Sequence, residues 1–177
     1  GAVYVLAAAC EHWGIRFNGL RVAIQGFGNV GSWAARELHH RGAHVIAVSD
    51  VSGGIYDEGG LDIYRLLEWS ETGAPIADNT LGERITNEQL LTLDCDVLIP
   101  AALGEVITKT NAHEVKSPIV LEAANNPTTP DADKILEGNG IRVIPDILAN
   151  GGGVTGSYFE WAQNIQQFRW KEDRFNQ

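Results

Sequence analysis

The feature that most constrains this chain is the hexapeptide Gly26-Phe27-Gly28-Asn29-Val30-Gly31, set between an apolar run, Arg21 to Gln25, and an amphipathic stretch from Asn29 to about His40. Three glycines in six residues weaken a helix start unless the backbone must bend sharply or something must approach it closely. A G-x-G-x-x-G pattern that follows a strand and opens a helix meets both needs. Gly26 allows the tight turn, Gly28 lets a pyrophosphate reach the backbone, and Gly31 lets helix and strand pack closely. The free N–H groups of the first helical turn then hold the phosphates.

The rest of the chain repeats the alternation of short β-branched runs with amphipathic segments, the pattern of parallel strands joined by crossover helices. Val3 to His12 reads as a helix ended by Gly14, and the helix after the glycine turn as one closed by Gly42. His44 to Ser49 reads as the second strand, with a turn through Gly53 and Gly54 and helical spacing from Leu61 to Glu71. Gly73 to Gly82 reads as a surface loop and Asn87 to Leu91 as a short helix. Further strands are expected at Asp96 to Ile99, stopped by Pro100, at Ile119 to Glu122 and at Ile141 to Ile144. A helix from Pro130 to about Glu137 lies between the last two, and a long one runs from Gly152 to Trp170. With no repeat or linker, residues 1–177 are expected to form one Rossmann-like α/β domain with a single core: a mostly parallel twisted sheet with helices on both faces.

Composition excludes some classes of function. A net charge of −10 disfavours nucleic acid, whose phosphates select basic patches, and no apolar run approaches the length of a membrane span. The apolar start from Ala2 to Cys10 lacks a basic flank and reads poorly as a signal peptide, so the chain is expected to be cytoplasmic. Cys10 and Cys95 have no CxxC or Cys/His spacing and read as buried reduced thiols. His12, His39, His40, His44 and His113 lack any spacing that gathers metal ligands, so no metal is expected.

About twenty residues past the turn, an acidic side chain closing the second strand accepts ribose hydroxyls in dinucleotide-binding domains, and Asp50 stands there. Its carboxylate repels a 2′-phosphate, which favours NAD. NADP stays possible if Ser52, Arg21 or another neighbour offsets the repulsion. Ala101 and Ala102, just past Pro100, are small residues at the strand end that faces the cofactor crevice.

Three segments resemble the Glu/Leu/Phe/Val dehydrogenase family, its glutamate dehydrogenases in particular. They are Gln25 to Gly31, Leu121-Glu122-Ala123-Ala124-Asn125-Asn126-Pro127-Thr128-Thr129-Pro130, and Pro145-Asp146-Ile147-Leu148-Ala149-Asn150-Gly151-Gly152-Gly153-Val154-Thr155-Gly156-Ser157-Tyr158-Phe159-Glu160-Trp161. The second is similar to the family's E-G-A-N-x-P-T-T-P, with Ala123 in place of the usual Gly and Asn126 at a position that is often Gly. The third is similar to P-D-I-L-A-N-A-G-G-V-x-x-S-Y-F-E-W, with Gly151 in place of Ala. The resemblance implies that Asn125 lies beside the nicotinamide ribose and Asn150 by the nicotinamide and substrate. It also implies that Val154 and Ser157 line the amino-acid side-chain pocket, with Ser157 bonding the distal carboxylate of glutamate. Glycines opening a helix with Ser157 one turn beyond Gly153 suit a carboxylate.

The family's catalytic lysines and aspartate belong to a domain that precedes Gly1, so the resemblance implies a cofactor-binding part with no catalytic residue of its own. It implies a hexamer formed mainly by that other domain, and in the intact enzyme oxidative deamination of L-glutamate to 2-oxoglutarate and ammonia. A leucine, valine or phenylalanine dehydrogenase and a non-catalytic nucleotide sensor are the alternatives; Ser157 favours glutamate. Tyr158, Phe159, Trp161, Ile165, Phe168 and Trp170 are expected to leave an apolar patch.

Overall fold

The computed structural model describes residues 1–151; the expected helix over 152–170, with Val154, Ser157 and its aromatic residues, lies outside the described residues. Helix α1 (Ala2–Trp13) leads into strand β1 (Arg21–Gln25), helix α2 (Asn29–His40) and strand β2 (His44–Asp50). After a tight reversal come β3 (Gly53–Tyr56), α3 (Ile63–Glu71), β4 (Glu83–Ile85), α4 (Asn87–Leu91) and β5 (Val97–Pro100). The chain continues through β6 (Ile119–Leu121), α5 (Pro130–Gly138), β7 (Arg142–Ile144) and the single turn α6 (Asp146–Ala149).

Among the described residues the strands form one seven-stranded sheet in the order β4-β3-β2-β1-β5-β6-β7. The pairs β1–β2, β1–β5, β5–β6 and β6–β7 are parallel, whereas β3 runs antiparallel to both β2 and β4. The chain therefore leaves β1 to one side for β2 and returns through α4 to the other side for β5. Ligand crevices open at such a reversal, outside the carboxyl ends of the strands.

The expected α/β class holds, with two differences. The antiparallel pair β3–β4 was not expected: Gly53 and Gly54 read as a turn, and no element was expected over residues 83–85, between the loop 73–82 and the short helix. Gly54 belongs in a strand because it pairs with Ser49, where an added Cβ would come within 2.6 Å of the Val48 carbonyl oxygen and 2.9 Å of the Ser49 Cβ. The expected single core is two apolar layers, since a sheet buried on both faces divides the interior. Leu6 of α1, Leu38 of α2 and Leu66 of α3 pack on Val22, Ile24 and Val48 from one side. Leu90 of α4 and Leu136 of α5 pack with Ala23, Leu98 and Val120 on the other.

Helix starts follow from capping. Asp62 accepts the Arg65 N–H at the head of α3, Thr86 and Gln89 form a reciprocal capping box on α4, and Thr129 caps α5 with Pro130 in its first turn. Strand β5 includes Pro100, whose carbonyl accepts the Ala123 and Ala124 N–H groups at 3.0 and 2.8 Å.

Candidate functional site

Strand β1 ends at the sheet's reversal point, and the glycine turn is packed against the loop that follows β5. Gly26 has φ +102°, and a Cβ there would lie 2.6 Å from the Ala102 Cβ. A Cβ on Gly31 would run into the Gly26 carbonyl oxygen, so helix α2 sits directly on the turn. Gly28 is different, because among the described residues a Cβ there would meet nothing within 4 Å. Gly28 is also the N-cap of α2, with no side chain to satisfy the helix donors, and its carbonyl takes the N–H of Ser32 at 2.9 Å. The N–H groups of Asn29, Val30 and Gly31 precede the first intrahelical bond. Asn29 and Val30 are exposed, whereas Phe27 is buried in the apolar layer. A cleft of about 400 Å³ opens beside the turn, lined by Gly28, Asn29, Ser32 and Arg36 of this unit and by Ser70 and Glu71 of α3. The Arg36 guanidinium lies over the Trp33 ring, 5.2 Å from its centroid.

Asp50 closes β2 at the same edge, and its carboxylate is already engaged. Oδ1 accepts the backbone N–H of Ser52 at 2.7 Å and the Ser52 hydroxyl, and Oδ2 accepts the Ile76 N–H at 2.9 Å. Its carbonyl accepts the Asn87 side-chain amide at 2.9 Å. A carboxylate offers about four acceptor positions, so among the described residues one on Oδ2 stays open. Arg21, considered above as a charge that could offset Asp50, stands at the opposite edge of the sheet: it begins β1 in register with His44 and lies 3.9 Å from Asp94.

The far side of the crevice is built from the ends of β5, β6 and β7. Ala101 donates to the Gln25 carbonyl at 2.7 Å, so Ala101 and Ala102 wall the glycine turn. Asn125 and Asn150, 25 residues apart in sequence, meet: the Asn150 side-chain amide donates to Asn125 Oδ1 at 3.3 Å. Between them runs a clasp that the sequence reading did not assign. Buried Glu122 accepts the Asp146 N–H through Oε2 at 3.1 Å, and Asp146 Oδ2 accepts the Asn126 N–H at 2.8 Å. Asn126 takes φ +48°, a left-handed conformation that Asn tolerates, which accounts for Asn where the family often has Gly. Glu122 and Asp146 belong to the segments that resemble the family, but 24 residues separate them and no local signal marks the bond.

Among the described residues, Gln25 Oε1, Ser49 Oγ, Asn87 Oδ1 and Thr128 Oγ1 are buried without a partner. Gln25 and Ser49 are register neighbours on β1 and β2, beneath the crevice. Cys10 and Cys95 are buried thiols, and burial pushes Cys95 up to about 11. All five histidines are exposed, and among the described residues no group of three or more His, Cys, Asp or Glu is placed to hold a metal ion. No described helix is long and apolar enough to cross a membrane.

The model of the Glutamate/Leucine/Phenylalanine/Valine dehydrogenase family matches residues 1–177. An NAD-specific glutamate dehydrogenase of Staphylococcus aureus (strain COL) is 45% identical over 177 residues, covering 100% of this chain and 42% of that protein. The hetero-hexameric glutamate dehydrogenase from Thermus thermophilus, in its Leu-bound form, superposes with a TM-score of 0.91 at 33% identity, over 99% of this chain and 41% of that one. Glutamate dehydrogenase from Peptoniphilus asaccharolyticus does so with a TM-score of 0.78 at 35% identity, over 97% of this chain and 39% of that one. The chain thus spans well under half the length of the relatives it matches. With the family model covering every residue, the chain belongs to the Glutamate/Leucine/Phenylalanine/Valine dehydrogenase family.

Proposed function

We propose that this chain is the dinucleotide-binding, C-terminal portion of an NAD-dependent glutamate dehydrogenase, which in full deaminates L-glutamate oxidatively to 2-oxoglutarate and ammonia. One observation carries the reading. Among the described residues the turn has no room for side chains at Gly26 and Gly31 yet is open at Gly28, in front of helix donors with no partner there. A purely structural βα turn has no need of a glycine at an open position, whereas a diphosphate close to the backbone does. The curated relative at 45% identity is NAD-specific, which supports the choice of dinucleotide.

In this reading the N–H groups of Asn29, Val30 and Gly31 hold the diphosphate at the positive end of α2, beside Phe27 and Gly28. The open position on Asp50 Oδ2 accepts one hydroxyl of the adenosine ribose. A 2′-phosphate at 4 Å from that carboxylate costs about 4 kcal/mol at an effective dielectric of ~20, which disfavours NADP. Ala101 and Ala102 wall the crevice, and Asn125 and Asn150 face its nicotinamide end. The family resemblance assigns Val154 and Ser157, which lie outside the described residues, to recognition of the substrate side chain. NAD held there would supply the acceptor for the hydride released from the substrate α-carbon.

Proton transfer and capture of the α-carboxylate fall to the remainder of the enzyme, which also carries the contacts of a hexamer. The chain alone therefore binds cofactor without turnover. Calorimetric titration tests this: NAD gives a saturable heat and NADP a weaker one, and glutamate with NAD yields no NADH. A chain silent toward both dinucleotides refutes the reading. Rejoined to the rest of its protein, it turns over glutamate faster than leucine; the reverse order transfers it to the leucine branch of the family.

A further inference from the structure

Building on the dinucleotide reading above, we infer that Ser52, together with the 3-10 turn Ile76–Asp78, is a positioning device that locks the Asp50 carboxylate and thereby sets the preference for NAD over NADP. An aspartate at the end of a strand turns readily about its last torsion, which is broad and roughly two-fold. Here three donors from two separate segments stop that rotation: the Ser52 N–H and hydroxyl on Oδ1, and the Ile76 N–H on Oδ2. The Ser52 oxygen in turn accepts the Ala77 N–H at 3.3 Å, and the Asn87 amide holds the Asp50 carbonyl. Strand end, reversal and 3-10 turn are therefore one hydrogen-bonded unit around a single charge.

Two consequences follow. The carboxylate presents its open acceptor position in one fixed direction, so a ribose hydroxyl meets a prepared site. Ser52 has also committed its only hydroxyl proton to Asp50. Its exposure and its place two residues beyond Asp50 would suit a donor to a 2′-phosphate, but that proton is taken, and the phosphate would face the locked negative charge instead. Releasing the lock lets the carboxylate swing away, which weakens the ribose contact and relieves the repulsion together.

The test is titration of the full 177-residue chain and its S52A and S52T variants with NAD and with NADP. We expect S52A to weaken NAD roughly five- to tenfold while NADP changes by less than about twofold, so that selectivity contracts. S52T, which keeps the hydroxyl, retains the parent ratio. An S52A that weakens both dinucleotides equally, or neither, overturns the inference even when its melting temperature has moved. If S52A does not fold, S52C keeps the volume with a much weaker donor: contracted selectivity in S52C supports the lock and an unchanged ratio overturns it. A parent chain that binds neither dinucleotide defeats the underlying reading, which an unchanged ratio in a binding parent does not.

Discussion

Gly28 and Gly31 show one residue type answering opposite demands. Gly31→Ala drives a Cβ into the Gly26 carbonyl, backbone against backbone, and is expected to cost several kcal/mol in urea unfolding or to prevent folding. Gly28→Ala has free space and an extended backbone, φ −80° and ψ −158°, so it should change stability by less than ~1 kcal/mol. It should nonetheless weaken NAD at least about tenfold, because its methyl group occupies the place of the diphosphate. A Gly28→Ala variant that binds NAD like the parent would locate the phosphates elsewhere. Cys95 carries a different residue-scale prediction. Burial raises its folded pKa to about 11 from an ordinary 9.0, so the folded state keeps its proton where the unfolded chain loses it. Stability is therefore complete below pH 9 and declines between pH 9 and about 11, by on the order of 2–3 kcal/mol. Urea midpoints followed across that range should fall in the parent and fall less in C95A, once its lower starting stability is subtracted.

At the scale of elements, the parts legible in the sequence were those whose signal is local. The strand β1, the glycine turn and α2 announce themselves within about twenty residues, and the cap at Thr129 stands next to its Pro130. The Asp50 position follows from spacing alone, and Asn125 and Asn150 came from the family resemblance. What stayed hidden depends on distant partners. β3 is a strand only because Gly54 fits against Ser49, and β4 is three residues long with no alternation to read. The hold of Asp50 on Ile76 and of Asp146 on Asn126 each spans 20 residues or more. The second of these predicts that Asp146→Ala frees the Asn126 N–H and loosens the loop that carries Asn125. Affinity for NAD should fall while affinity for AMP, which lacks the nicotinamide half, stays as it was; equal losses for both would show that the loop acts on the whole crevice.

For the whole molecule, charge is the dominant property. A chain of net charge −10 repels a dinucleotide at long range, and at close quarters the helix donors and the nearby Arg36 draw it in. Raising ionic strength from about 0.01 to 0.15 M shortens the screening length from ~30 to ~8 Å, so association with NAD should accelerate in stopped-flow traces, and with NADP more steeply. A rate that falls with salt would reveal local attraction outweighing the global field. The sheet's outermost strands bear on how such a molecule behaves in concentrated solution. Both β4 and β7 are only three residues long, and the arginines they carry, Arg84 and Arg142, are exposed. Short, charged borders are poor templates for lateral strand addition, so copies of this sheet meet no inviting seam along which to zip into fibrils.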